Sequence, residues 1–133
     1  MKLKVAVLFG GKSTEHEISI ISAIQAIGFI NKEKYDVVPV YITKNNDFYV
    51  GDDIGKIEEY THINQLLAKS TQVVWVKEND KVNLVRYPMK KFGNNVMTQV
   101  DVAFPIVHGT NVEDGTLQGF LATLGLPVVG CDV

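Results

Sequence analysis

Two short stretches hold the side chains best suited to chemistry. The first, VAVLFGGKSTEHEISI at residues 5–20, is an apolar run that meets Gly10-Gly11, then Lys12-Ser13-Thr14, then Glu15-His16-Glu17. A glycine turn that opens a helix is often a phosphate cradle. The spacing argues against one here. Gly11-Lys12-Ser13 is the tail of a P-loop, but the glycine that motif needs five residues earlier is Ala6. A dinucleotide fingerprint fails as well, because no glycine lies between Gly11 and Gly28 and Thr43-Lys44-Asn45 stands where an acidic residue is expected. Two carboxylates beside the turn would also repel phosphate. A helix N-terminus stabilises negative charge, so Glu15 is expected to stay ionised at neutral pH. It lies past the carboxyl end of the first strand, where open α/β sheets bind ligands, and a carboxylate there is suited to gripping a substrate ammonium. The commoner use of such a residue is simply to complement the helix dipole, and chemistry alone leaves both uses open. Glu17 falls at N3 of a capping box with Thr14 at N-cap, a structural task.

The second stretch is HGTNVEDG, residues 108–115. His108 directly follows a buried strand and is of the type that donates to a carboxylate or moves a proton near neutral pH. A hydrogen bond within its own loop would account for it equally well. Glu113 and Asp114 precede a helix, where capping and dipole pairing are the default roles. His16, His108, Asp114 and Cys131 share no metal-ligand spacing.

These residues need elements to hold them. Residues 3–9 are apolar in nearly every position, as in a strand buried on both faces. Ile20, Ala23, Ile24, Ile27 and Ile30 recur at helical spacing, predicting a helix over 15–30. Residues 35–42 form a second strand, placed near a sheet edge by Pro39, which cannot donate to a ladder. In the irregular middle, 48–50 is a short strand and 56–69 a helix; strands 73–77 and 82–87 form a hairpin with a four-residue loop at Glu78-Asn79-Asp80-Lys81. Residues 100–107 are another buried strand, 116–124 a helix stopped by Gly125, and 126–129 a last strand. Strand–helix–strand at both ends predicts an α/β fold with two βα units on one mainly parallel sheet and the hairpin region inserted between them.

The chain has 133 residues, enough for one domain, with net charge −2 and 46% hydrophobic residues. No basic stripe is present, so nucleic acid is not an expected partner. No apolar run approaches a membrane span, and the N-terminus lacks the pattern of a signal peptide. A single cysteine, Cys131, rules out an intrachain disulfide and agrees with a reducing cytoplasm.

FGGKSTEHEISIISA near the start and FPIVHGTNVEDGTLQGFLATLGLPVVGCDV at the end together closely resemble the N-terminal domain of D-alanine–D-alanine ligases. The resemblance covers both ends of the chain, while residues 43–96 carry no motif and stand as a variable insertion. It implies a three-layer, Rossmann-like (pre-ATP-grasp) domain on the substrate side of an enzyme. That enzyme joins two D-alanines through an acyl phosphate for peptidoglycan synthesis. In the family motif Ser-Thr-Glu-x-Glu-[Val/Ile]-Ser the first glutamate, here Glu15, binds the ammonium of the first D-alanine. Ile18 takes the place of an apolar residue near that substrate's methyl, and the loop histidine falls on His108. The resemblance also implies ATP and Mg²⁺ (or Mn²⁺), held by ATP-grasp domains that these 133 residues do not contain. It further implies a homodimer with contacts from this domain. At Val112 the family usually has Gly; a β-branched residue resists positive φ, so the loop departs from the pattern there. Alternatives are a D-Ala–D-lactate or D-Ala–D-serine ligase, or a stand-alone small-molecule binding module.

Overall fold

The computed structural model describes residues 2–11, 16–106, 117 and 119–129, with His16 described in its backbone alone. In chain order the elements are β1 (Leu3–Gly10), α1 (His16–Phe29), β2 (Tyr35–Ile42), β3 (Phe48–Val50), a 3₁₀ segment (Ile57–His62), α2 (Ile63–Ala68), β4 (Thr71–Glu78), β5 (Lys81–Arg86), β6 (Val96–Val100) and β7 (Val102–Ile106). The strands form one sheet in the order β6-β5-β4-β3-β2-β1-β7.

Its parallel part is the expected one. β1 pairs with β2 from Leu3↔Tyr35 to Gly10↔Ile42, and on its other side with β7 from Val5↔Val102 to Phe9↔Ile106. The inserted region adds β3, β4, β5 and β6, each antiparallel to its neighbour. The sheet as a whole is therefore mixed rather than mainly parallel. The tight turn between β4 and β5 can join only antiparallel strands.

β1 is buried on both faces from Val5 onward, as its unbroken apolar composition predicts. Ala6 and Leu8 join Val40, Ile42, Val73, Leu84, Val100, Ala103, Leu121 and Leu126 in one core. Val5, Val7 and Phe9 join Ile20 and Ala23 of α1, Tyr41, Ile54, Leu66 and Ile106 in the other. Helices on both faces of the sheet make the expected three layers. On the second face the helical residues are 117 and 119–123, and the expected strand at 126–129 reduces to a single parallel bridge, Ala103↔Val128.

β6 and β7 are consecutive in the chain yet stand at opposite ends of the strand order, with only Asp101 between them. The sheet curls until its two ends meet at that residue. Asp101 locks the junction: its N–H donates to the Lys4 carbonyl at 2.8 Å, and its carboxylate accepts from the Lys4 N–H at 2.8 Å. The expected strand at 100–107 is thus the end of one strand and the whole of the next.

Other expectations are corrected in detail. β2 is central, not at an edge. The proline is tolerated because β3 reaches only Tyr41 and Ile42. Thr43 donates to Asp47 on the β3 side and the Ile42 carbonyl faces β1, so the alternation points the nitrogen of Pro39 toward β3, where no ladder exists. The expected helix at 56–69 is a 3₁₀ segment followed by α2, broken at His62, whose φ −129 and ψ 66 are not helical. The Thr61 hydroxyl donates to the Glu58 carbonyl at 3.0 Å, the local competition that disfavours a continuous helix.

The hairpin loop has two residues, not four, since Glu78 pairs with Lys81. Asn79 and Asp80 have φ of 52° and 67°, the left-handed pair that a type I′ turn requires and that matches strand twist. Glycine is the preferred residue at the second position. Asp80→Gly is therefore expected to raise stability by about 0.5–1 kcal/mol by removing left-handed strain. A thermal melt reads this as an upward shift of a few degrees; a downward shift would mean that the Asp80 side chain contributes more than its backbone costs.

Candidate functional site

The carboxyl ends of β1, β2 and β7 converge at Gly10, Ile42 and Ile106. Gly10 and Gly11 have φ of 94° and 88°, so the chain leaves β1 through a left-handed turn that favours glycine at both positions. Neither glycine amide is open to a phosphate. The Gly10 N–H donates to the Ser19 hydroxyl at 2.9 Å and the Gly11 N–H to the Ile42 carbonyl at 2.7 Å. The turn is a structural hinge onto α1, which agrees with the failure of both nucleotide motifs.

Ser19 is the fully buried polar residue of this region. Its hydroxyl accepts from Gly10 and donates to the Ile106 carbonyl at 2.7 Å, joining the ends of β1 and β7 through one oxygen. Residues 12–15 leave from the first of these ends and residues 107–116 from the second, so both sequence-selected stretches depart from one place. Glu15 and His108 themselves, with Thr14, Val112, Glu113, Asp114 and Cys131, lie outside the described residues. Ile18 is described: it sits in the first turn of α1 and is 53% exposed, with Ile21 exposed beside it.

Glu17 is also exposed, and its carboxylate lies 3.9 Å from the Lys44 ammonium. Its expected capping partner, Thr14, is outside the described residues. A cleft of about 470 Å³ opens next to it, lined by Glu17, Ile21, Tyr41, Lys44, Ile57 and Tyr60 among others. Its two tyrosines pack against each other, and Tyr41 against the buried Phe9; ring centroids are 5.3 Å apart for Tyr41–Tyr60 and 6.0 Å for Phe9–Tyr41. Burial, and secondarily the Glu17 charge, pushes the Tyr41 hydroxyl up to about 12. Burial and then Tyr41 raise Tyr60, whose hydroxyl donates to the Ile54 carbonyl at 2.7 Å. Both tyrosines are neutral hydrogen-bonding groups at physiological pH.

Among the described residues no group of three His, Cys, Asp or Glu side chains is placed to hold a metal ion. No helix of the described residues is long and apolar enough to cross a membrane.

Sequence reasoning assigns no role to Ser19, although it is the final serine of the family motif. A signal is nevertheless present: it is a polar residue on the inward stripe of α1, one turn before Ala23, where an apolar side chain would be expected. A buried hydroxyl at such a position needs partners.

A family model described as "D-ala D-ala ligase N-terminus" matches residues 4–131. The chain belongs to this family. Individual D-alanine–D-alanine ligases match along nearly all of it. The chain is 44% identical over 132 residues to the D-alanine–D-alanine ligase of Caldicellulosiruptor bescii, covering 99% of this chain and 34% of that protein. It is 35% identical over 130 residues to the ligase of Thermosipho melanesiensis, covering 98% and 34%. Among solved structures, the VanG D-Ala:D-Ser ligase of Enterococcus faecalis aligns with a TM-score of 0.76 at 35% identity, over 99% of this chain and 36% of that one. The D-alanine–D-alanine ligase of Coxiella burnetii aligns at 0.72 and 31%, over 99% and 36%. The chain thus spans about a third of the length of the relatives it matches.

Proposed function

We propose that this chain is the substrate-side, N-terminal domain of a cytoplasmic, ATP-dependent D-alanine–D-alanine ligase. Its task there is to hold the first D-alanine for dipeptide formation in peptidoglycan synthesis. The observation that carries the proposal is the joining of the β1 and β7 ends by Ser19. It makes one place of the two departures toward Glu15 and His108, within a chain whose family is that of the ligase N-terminus. Glu15 holds the ammonium of the first D-alanine, Ile18 lies toward its methyl, and His108 stands near it as a donor. The exposure of Ile18 fits a residue whose apolar partner arrives from outside this domain.

ATP supplies the phosphoryl group that activates the first carboxylate, with Mg²⁺ or Mn²⁺ as its counterion. The described residues fit neither, since the glycine-turn amides are committed to Ser19 and Ile42 and no metal-binding cluster is formed. Both are assigned to the remainder of a protein as long as the relatives, and the role of this chain is confined to D-alanine. A homodimer belongs to the same proposal. A second reading, a D-Ala–D-Ser ligase, is favoured by the structural likeness to the VanG enzyme.

The test is product analysis. A protein of the relatives' full length, supplied with ATP, Mg²⁺, D-alanine and D-serine, is expected to release phosphate and form D-alanyl-D-alanine in preference to D-alanyl-D-serine. The 133-residue chain alone is expected to form neither. Preference for the mixed dipeptide selects the second reading; no D-alanine-dependent phosphate release from the long protein overturns both.

A further inference from the structure

The joint between β1 and β7 does more than close a core. A fully buried serine on a helix usually bonds back to its own helix. Ser19 instead bonds outward in two directions, accepting from Gly10 and donating to Ile106. Both partners are backbone groups at the last residues of parallel strands. Near them, Phe9 and Ile106 are buried in the packed face shared with α1. The Phe9↔Ile106 pairing is the last Cα pairing between the two strands. Beyond it the ladder ends, and the Ser19 hydroxyl replaces the next rung. Removing that oxygen leaves a buried N–H and a buried C=O facing each other across a gap, satisfied only if the strand ends shift together or water enters.

The position matters because both strand ends lie close in sequence to the residues assigned to the substrate. Glu15 lies five positions beyond Gly10, and His108 two positions beyond Ile106. A misplacement of about 1 Å in a binding group is enough to cost on the order of a hundredfold in rate. α1 contributes too, since it carries both Ser19 and Ile18. One hydroxyl therefore registers three parts of the site against each other: the start of the helix, the end of β1 and the end of β7.

We propose that Ser19 is a positioning residue for the first D-alanine, its hydroxyl setting the mutual placement of the chain ends that lead to Glu15 and His108. This role rests on the ligase reading above. It does not require Ser19 to touch substrate, and its burial keeps it from doing so.

The experiment is steady-state kinetics on Ser19→Ala in the full-length protein, with D-alanine and ATP varied separately and a melting curve on the same sample. The expected result is a rise of about tenfold or more in KM for the first D-alanine. KM for ATP should stay within about twofold, because the nucleotide is assigned elsewhere. Amide exchange at Gly10 should accelerate in the folded variant relative to wild type. A lowered melting temperature with KM for D-alanine unchanged would make Ser19 a purely structural residue and overturn the proposal. Should Ser19→Ala fail to fold, Ser19→Cys, similar in shape but a poorer donor and acceptor, is read by the same criterion. The wild-type control separates the two levels: if wild type forms no D-alanine-dependent product the ligase reading itself fails, whereas an active wild type with an unaffected variant defeats only the role of Ser19.

Discussion

Phe9→Ala is expected to cost about 3–5 kcal/mol, a large part of the roughly 5–15 kcal/mol by which a domain of this size is stable. Phe9 is fully buried, at the point where β1 is about to release the chain toward the site. Its ring meets Tyr41 at 6.0 Å and Tyr60 at 6.2 Å, both at tilted or edge-on angles that favour aromatic contact. It packs in the same core as Ile20, Ala23 and Ile106, so the cavity left behind has walls from α1, β7 and the 3₁₀ segment. Such walls cannot collapse together without moving the strand ends. Chemical denaturation should show the loss as a lower midpoint with an unchanged slope. Phe29→Ala supplies the control. Phe29 is 90% exposed at the end of α1, and its removal should change stability by no more than about 0.5 kcal/mol. Similar losses from both variants would mean that the core on this face is not packed as described.

Much of this is legible in the sequence, for reasons that can be located. β1 and α1 are readable because their patterns are extreme: an unbroken apolar run over residues 5–9, then isoleucines at helical spacing. A buried parallel strand and its covering helix leave no other reading. That residues 102–106 join the same sheet as a parallel strand follows from the strand–helix–strand units at both ends; their pairing with β1 itself does not. The middle is less legible. β4 and β5 read as a hairpin, but the loop comes out two residues too long because Glu78 and Lys81 look like loop residues while pairing as strand residues. β6, which reads Val-Met-Thr-Gln-Val, has no strict alternation and escapes the sequence reading; tertiary pairing with β5 imposes the strand. The curl of the sheet at Asp101 is invisible to any local pattern, because it depends on hydrogen bonds between residues 97 positions apart.

The site is legible in part for a different reason. Glu15, Ile18 and His108 are assigned through resemblance, and among them only Ile18 lies within the described residues. Ser19, which joins the ends of the two strands before them, closes the family motif but receives no role from the sequence, because a serine in an apolar helix looks like a neutral interruption. Its meaning emerges only when Gly10 and Ile106 are seen on either side of its hydroxyl.

The proposed function gives the two carboxylates of the opening stretch different tasks. Glu17 is solvated and loosely paired with Lys44 at 3.9 Å; exposed pairs of this kind contribute about 1 kcal/mol at most. Glu17→Gln keeps an accepted N3 partner for the helix start, so kcat/KM for the first D-alanine should stay within roughly fivefold of wild type. Glu15→Gln keeps the shape and removes the charge. If Glu15 holds the substrate ammonium, the loss should be on the order of 2–5 kcal/mol, because the cation is left buried without its counterion. That corresponds to roughly thirty-fold to several-thousand-fold in kcat/KM. KM for ATP and the melting temperature should move little. The most direct measurement is therefore steady-state kinetics for the first D-alanine on both variants of the full-length protein, side by side. A large loss confined to Glu15→Gln is the result predicted. Small and equal effects would reduce Glu15 to a complement of the helix dipole, and a larger loss from Glu17→Gln would contradict the assignment outright.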